Sequence, residues 1–196
     1  MNAVSDDTNP YRPPAATLVE PPIVDASAGA ELYVVAPRKF LLLMVGTLGV
    51  YSVYWFYRNW SQLRGKRGSY QPVLRAIFAI FFTHALFREI EAILARKQIV
   101  HRWSPRQLAS IFVAASVMDR IVTRMDGLFF SLVSLALLVP TTLSLLQAQK
   151  AINAAEEDPS GSANSALTIG NIVWLIVGLG LWTLVGVGLY AELMGL

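Results

Sequence analysis

Hydrophobic and polar positions divide this chain into a polar leader and a series of long apolar stretches. Phe40–Tyr57 runs eighteen residues without a charge, flanked by Arg38 and Lys39 before it and Arg58 after it. At about 1.5 Å rise per residue such a helix is about 27 Å long, close to a hydrocarbon core of roughly 30 Å. Tyr54, Trp55, Tyr57 and Trp60 crowd its end, where amphipathic rings suit the headgroup level. A short basic loop, Asn59–Gln71, interrupted by Gly65 and Gly68, follows. Pro72 suits the first turn of a second helix, and Pro72–Ile93 is long enough to cross if Arg75 snorkels at one end and Arg88, Glu89 and Glu91 lie near the other. Leu128–Gln147 is twenty uncharged residues, with Pro140 as a kink, and Asn171–Ala191 is twenty-one.

The stretch 105–125 reads two ways. Ser104 and Pro105 fit an N-cap and first helical residue. Leu108, Ile111, Phe112, Ala115, Met118, Val122 and Met125 recur at helical spacing while Arg106, Arg120 and Arg124 gather elsewhere, the pattern of an interfacial amphipathic helix. Leu108–Met118 is apolar nearly all round, so a short extra span fits as well. The expected fold is all-α: a polytopic helical membrane protein with four spans, about 40–57, 72–93, 128–147 and 171–191, or five if 105–125 crosses.

Composition agrees. Hydrophobic residues are 55% of the 196 and charged residues 15%, against roughly 45–50% and about 25% in soluble domains. Residues 1–36 hold Pro10, Pro13, Pro14, Pro21 and Pro22 among small and acidic residues, which predicts a disordered, proline-rich tail ahead of a helical membrane domain over 37–196. The tail lacks the pattern of a secretory signal. Five acids stand in the tail against Arg12, while residues 58–75 hold five basic residues and no acid. Basic clusters beside apolar segments mark lipid headgroups and the cytoplasmic face; no nucleic-acid reading motif accompanies them.

Candidate chemistry is sparse. The chain has no cysteine and two histidines, which leaves no thiolate chemistry and no basis for a metal site or cofactor. His84, Arg88 and Glu91 share one helix face at i, i+4 and i+7. Ionisable groups near membrane depth fit a polar pathway or an anionic headgroup, although Arg88 and Glu91 can equally pair with each other at the helix end. Arg96, Lys97, His101, Arg102, Trp103 and Arg106 form a second cluster suited to anionic lipids, each near-surface cation contributing about 1 kcal/mol; setting topology explains the same residues. Gly178, Gly180, Gly186 and Gly188 surround the last helix and line no GxxxG seam. No zinc, serine-nucleophile, nucleotide or dinucleotide motif occurs.

The run Thr47-Leu48-Gly49-Val50-Tyr51, then Tyr54-Trp55-Phe56-Tyr57-Arg58-Asn59-Trp60, resembles the opening of a family of uncharacterised bacterial integral-membrane proteins with a T-L-G-x-Y … Y-W-F-Y-x-N-W pattern. Leu74–Phe78, Leu86-Phe87 and Gln149-Lys150-Ala151-Ile152-Asn153 extend the similarity, which covers the chain from Glu31 onward; Asn-Pro-Tyr and Pro-Pro in the tail resemble leaders of small proteobacterial membrane proteins. The chain departs from the pattern at 108–124, where Asp119, Arg120 and Arg124 stand in a stretch otherwise more apolar. The resemblance implies a multi-pass protein of the bacterial inner membrane and carries no activity. The expected function is therefore non-enzymatic, through lipids or a protein partner, of an assembly, scaffold or immunity type; a small transporter or channel and a lipid-modifying enzyme are the alternatives. Seven Lys and Arg in 88–127 against Lys150 alone in 148–170 predict a periplasmic 148–170 loop and a cytoplasmic C-terminus, with the tail cytoplasmic if four spans hold.

Overall fold

The computed structural model describes residues 30–67 (side chains to residue 63) and 71–195. Among them are seven α-helices and no strand: α1 Pro37–Gly46, α2 Tyr51–Arg67, α3 Pro72–Ile77, α4 Ala79–Arg96, α5 Pro105–Val122, α6 Leu128–Ala155 and α7 Ile169–Met194. Helices α6 and α7 are long and apolar enough to cross a membrane, at about 42 and 39 Å. Only 17% and 6% of their most apolar windows are buried, whereas the central helix of a soluble protein would be mostly covered. They run antiparallel: the Ser131 hydroxyl near the start of α6 meets the Glu192 carboxylate near the end of α7 at 2.9 Å. Pro140 lies inside an unbroken α6.

The expected first span is not one helix. The chain breaks over Thr47–Val50, with Leu48 at φ 51° and Gly49 at φ 83°, and folds back. Lys39, near the start of α1, lies beside Asn164 and Ala166 ahead of α7, while its last residue, Gly46, meets Gly178 in the middle of α7. Gly49 lies against Leu138 halfway along α6, and Trp55 is already back at Gln149. Helix α1 is thus wedged between α6 and α7, while α2 folds back beside it and packs mainly on α3. The polar groups at the break are satisfied partly within the turn and partly from α7. The Thr47 hydroxyl donates to Leu43 O (2.7 Å) and accepts from Tyr51 N (3.0 Å), and the Trp182 indole donates to Val45 O (2.9 Å). Thr-Leu-Gly-x-Tyr is this turn.

The expected second span is broken too, at Phe78 between α3 and α4. Ala79 and Ile80 share a groove with Ser116 and Asp119 of α5 and Leu135 of α6. From there α4 climbs antiparallel to α5 (His84 to Ser110, Phe87 to Trp103), and Lys97 just past its end reaches Ala155. Around this second tip Val73, Leu74, Ile77, Phe78 and Phe81 are exposed. Helix α5 then descends the length of α6, with Asp119 accepting from the Ser134 hydroxyl at 2.6 Å. The segments 30–36, 97–104 and 156–168 consequently lie together at one end of α6 and α7, called here the loop end. Residues 123–127 and the C-terminal end of α7 lie at the other.

Three more expectations are corrected. The basic stretch 59–67 is helical, because α2 continues to Arg67 through Gly65; residues 68–70 fall outside the described residues. Trp55 and Trp60 do not ring the headgroup level but are 0% and 1% exposed in the protein core, Trp55 packing edge-on against Phe40 and Phe56. Finally, the tail expected over 1–36 lies outside the described residues up to 29, but Leu32, Tyr33 and Val35 are core residues.

Candidate functional site: an amide lattice and a cationic recess

An extended segment buried among helices leaves its peptide groups without partners unless side chains supply them. Residues 32–36 are such a segment, and four carboxamides surround it. Asn153 on α6 pairs with both polar groups of Val35: Val35 N donates to Asn153 Oδ1 (3.3 Å) and Asn153 Nδ2 donates to Val35 O (2.9 Å). One turn earlier Gln149 Nε2 donates to Tyr33 O (3.1 Å) and to Asn153 Oδ1 (2.7 Å), and Gln149 Oε1 accepts the Trp55 indole N–H (2.5 Å). Asn59 on α2 accepts from Tyr33 N (3.1 Å) and donates to Trp55 O (2.9 Å). Asn164 donates to Val34 O (2.9 Å), while its backbone carbonyl accepts from Ala36 N (3.3 Å). Asn59, Gln149 and Asn153 are fully buried. The lattice acts as the neighbouring strand that this segment lacks.

The 156–168 loop holds Asn164 in place. Asp158 accepts from Ala163 N and Ser162 N at 2.9 Å and from the Ser160 and Ser162 hydroxyls at 3.0 Å. These bonds, the Ala163 amide first, bring its pKa down to about 2. They shape the single 3-10 turn Ser162–Asn164. Gly161, at φ 67°, is pressed against the Ala36 backbone, where any Cβ would collide.

Beside the lattice is a recess of about 310 Å³ bounded by residues 30–34, α2, the 3-10 turn and the start of α7. Lys39 and Arg58 line it, with Tyr33, Tyr54, Gln62 and Thr168. Lys39 is 5% exposed and donates to two neutral oxygens, Asn164 Oδ1 (2.6 Å) and Ala166 O (2.7 Å). Burial lowers its pKa. The Arg58 guanidinium sits 4.9 Å from the centre of the Tyr33 ring, and its buried Nε has no hydrogen-bond partner.

No family model, curated protein or solved structure matches the chain.

The residues singled out in the sequence lie elsewhere at the loop end. His84 and Arg88 are exposed and share with Phe87, Pro105 and Arg106 a second recess of about 290 Å³; Glu91 is exposed and lines no part of it. His84 Nε2 lies 3.3 Å from the Ser110 hydroxyl. Arg88 and Glu91 form no ion pair. In the second cluster, Arg96 pairs with Glu31 at 2.5 Å and Lys97 with Glu156 at 3.6 Å, while Lys97 also donates to Ala155 O at 2.7 Å. Trp103 packs against Phe87, ring centres 5.5 Å apart. Arg102 and Arg106 are exposed and His101 half-buried. Arg96 and Lys97 therefore tie the ordered N-terminal segment and the 156–168 loop to α4, a role the sequence did not disclose. Gly178 admits the end of α1: a Cβ there would overlap the Gly46 carbonyl.

Proposed function

We propose that this is a multi-pass protein of a bacterial inner membrane that acts through lipids or a protein partner, without catalysis. The observation that carries the reading is the bare apolar surface of α7, with Ile169, Ile176, Leu179, Leu184, Val187 and Leu193 each more than 60% exposed. Such a surface needs hydrocarbon around it. Helices α5, α6 and α7 are the crossings in this reading, and α1–α2 and α3–α4 are re-entrant hairpins entering and leaving at the loop end. The exposed apolar tip around Phe78 and Phe81 supports immersion of the second hairpin. The resemblance of the Thr47–Trp60 run to bacterial membrane proteins points the same way.

Sidedness follows from this layout. Arg38, Lys39, Arg58, Arg96, Lys97, Arg102, Arg106 and Lys150 lie toward the loop end, against Arg120 and Arg124 near the other. The positive-inside bias then favours a cytoplasmic loop end and an outward C-terminus. That reverses the orientation expected from counting 88–127 as one loop; the meeting of Lys97 with Ala155 and Glu156 supports putting 96–106 and 156–168 on one face. His84, Arg88 and Arg106, on the outside of the bundle, fit contact with anionic headgroups better than a polar pathway, which needs ionisable groups turned inward. Alkaline carbonate washing of membranes tests the reading. The chain should remain in the pellet and require detergent for release; recovery in the supernatant would refute it.

A further inference from the structure

We infer that the recess holding Lys39 and Arg58 binds a phosphate-bearing anion, a phosphomonoester or phosphodiester group. The first argument is charge balance. Among the described residues two cations line the recess and no carboxylate does. The acids nearest in the chain are engaged elsewhere: Glu31 with Arg96, Glu156 with Lys97, and Asp158 with its own loop. Lys39 is almost fully buried with only neutral acceptors, and a buried ammonium without a counter-charge is costly. Its two bonds leave a third proton to donate.

The second argument is geometry. The Arg58 guanidinium carbon lies 4.9 Å from the Tyr33 ring centre, an aromatic contact that takes up none of its N–H donors, and its buried Nε has no partner. A planar fork beside a point-like ammonium suits an anion with several oxygens, which phosphate provides. Tyr33 is itself fixed by Asn59 and Gln149 through its backbone, so the amide lattice holds the platform on which Arg58 rests. A volume of about 310 Å³ accommodates a headgroup or a small phosphate ester. At the loop end of α6 and α7 the phosphate could belong to a lipid, which rests on the membrane reading, or to a soluble ester, which does not.

The test uses the full chain purified in a neutral detergent, with thermal unfolding as readout. Inorganic phosphate is titrated at constant ionic strength against chloride, and the protein is separately reconstituted into phosphatidylcholine vesicles with and without phosphatidylglycerol. Stabilisation by inorganic phosphate identifies a soluble source; stabilisation by phosphatidylglycerol alone identifies a headgroup. In either case Arg58→Gln should weaken the apparent affinity about ten- to a hundredfold, the worth of a charged hydrogen bond. Arg124→Gln, an exposed cation at the opposite end of the bundle, should change it less than about twofold. If Arg58→Gln does not fold, Arg58→Lys keeps a charge without the fork and should weaken binding about tenfold. No response to either probe, an equal response to chloride, or equal losses in Arg58→Gln and Arg124→Gln would overturn the proposal. Release of the chain by carbonate would remove the membrane reading and leave the phosphate arm standing.

Discussion

Removing the Asn153 carboxamide should free the N-terminal segment from the helices. Asn153→Ala leaves both the N–H and the C=O of Val35 without their partner, in a residue that is 0% exposed. Each buried polar group left unsatisfied costs about 1–3 kcal/mol, so the pair sets a loss of about 2–6 kcal/mol. Gln149 keeps its bonds to Tyr33 O and to the Trp55 indole, so the damage should be local. The chain has no cysteine, and a single Val35→Cys therefore reports release of the segment through its reaction with a maleimide. In the otherwise unaltered protein that thiol should be protected; with Asn153→Ala its labelling should rise at least about thirtyfold, the lower bound of the estimate. Asn153→Asp keeps an acceptor for Val35 N but turns a carboxylate oxygen towards Val35 O, and it should also release the segment. Equal labelling with and without Asn153→Ala would refute the claim that carboxamides stand in for a neighbouring strand.

Gly178→Ala should displace the end of α1 from α7, because the new Cβ would overlap the Gly46 carbonyl; overpacking of this kind costs about 1–3 kcal/mol. Gly180→Ala, with nothing near its Cβ, should be neutral or stabilising by up to about 1 kcal/mol in thermal unfolding, and similar effects of the two would contradict the wedge. Asp158 has its pKa lowered to about 2, so its contribution is intact above the ordinary carboxylate range and is lost as pH falls through about 2. The protection of the Ser162 and Ala163 amides, relative to their intrinsic exchange rates, should fall over that interval, and Asp158→Ala should show that lower protection throughout the pH range in which the parent's carboxylate is ionised.

The starts of the apolar helices were legible along the chain, whereas α6 runs past the expected Gln147 through Lys150 to Ala155 and α7 past Ala191 to Met194. Helix α6 begins at Leu128, α5 begins at Pro105 after Ser104, and α7 begins two residues before the expected Asn171. The first two boundaries rest on charge and proline, both local signals; Ser104 makes no side-chain cap bond, and the only side-chain cap among these three starts is the Thr168–Asn171 capping box of α7. The break at Thr47–Val50 was not legible as a reversal, since its residues are apolar enough for a span and its stabilising indole is on Trp182, 137 residues away. The ordering of 31–36 likewise depends on Asn153, 118 residues distant. One signal was present. Gln149 and Asn153 stand at i and i+4 just beyond an apolar run, and two carboxamides on one face of a buried helix end require partners. The Lys39–Arg58 recess had no such signature, because the two cations come from different helices and meet only after the first hairpin folds back.

The most direct test of the account is which residues share a membrane face. Single cysteines at Arg102, Ser160 and Asp126 can be labelled with a membrane-impermeant maleimide in right-side-out and inverted vesicles. The proposed layout predicts that positions 102 and 160 react from the same face, the cytoplasmic one in the proposed orientation, and position 126 from the opposite face. Reaction of 102 and 160 from opposite faces would contradict the re-entrant hairpins and the shared loop end.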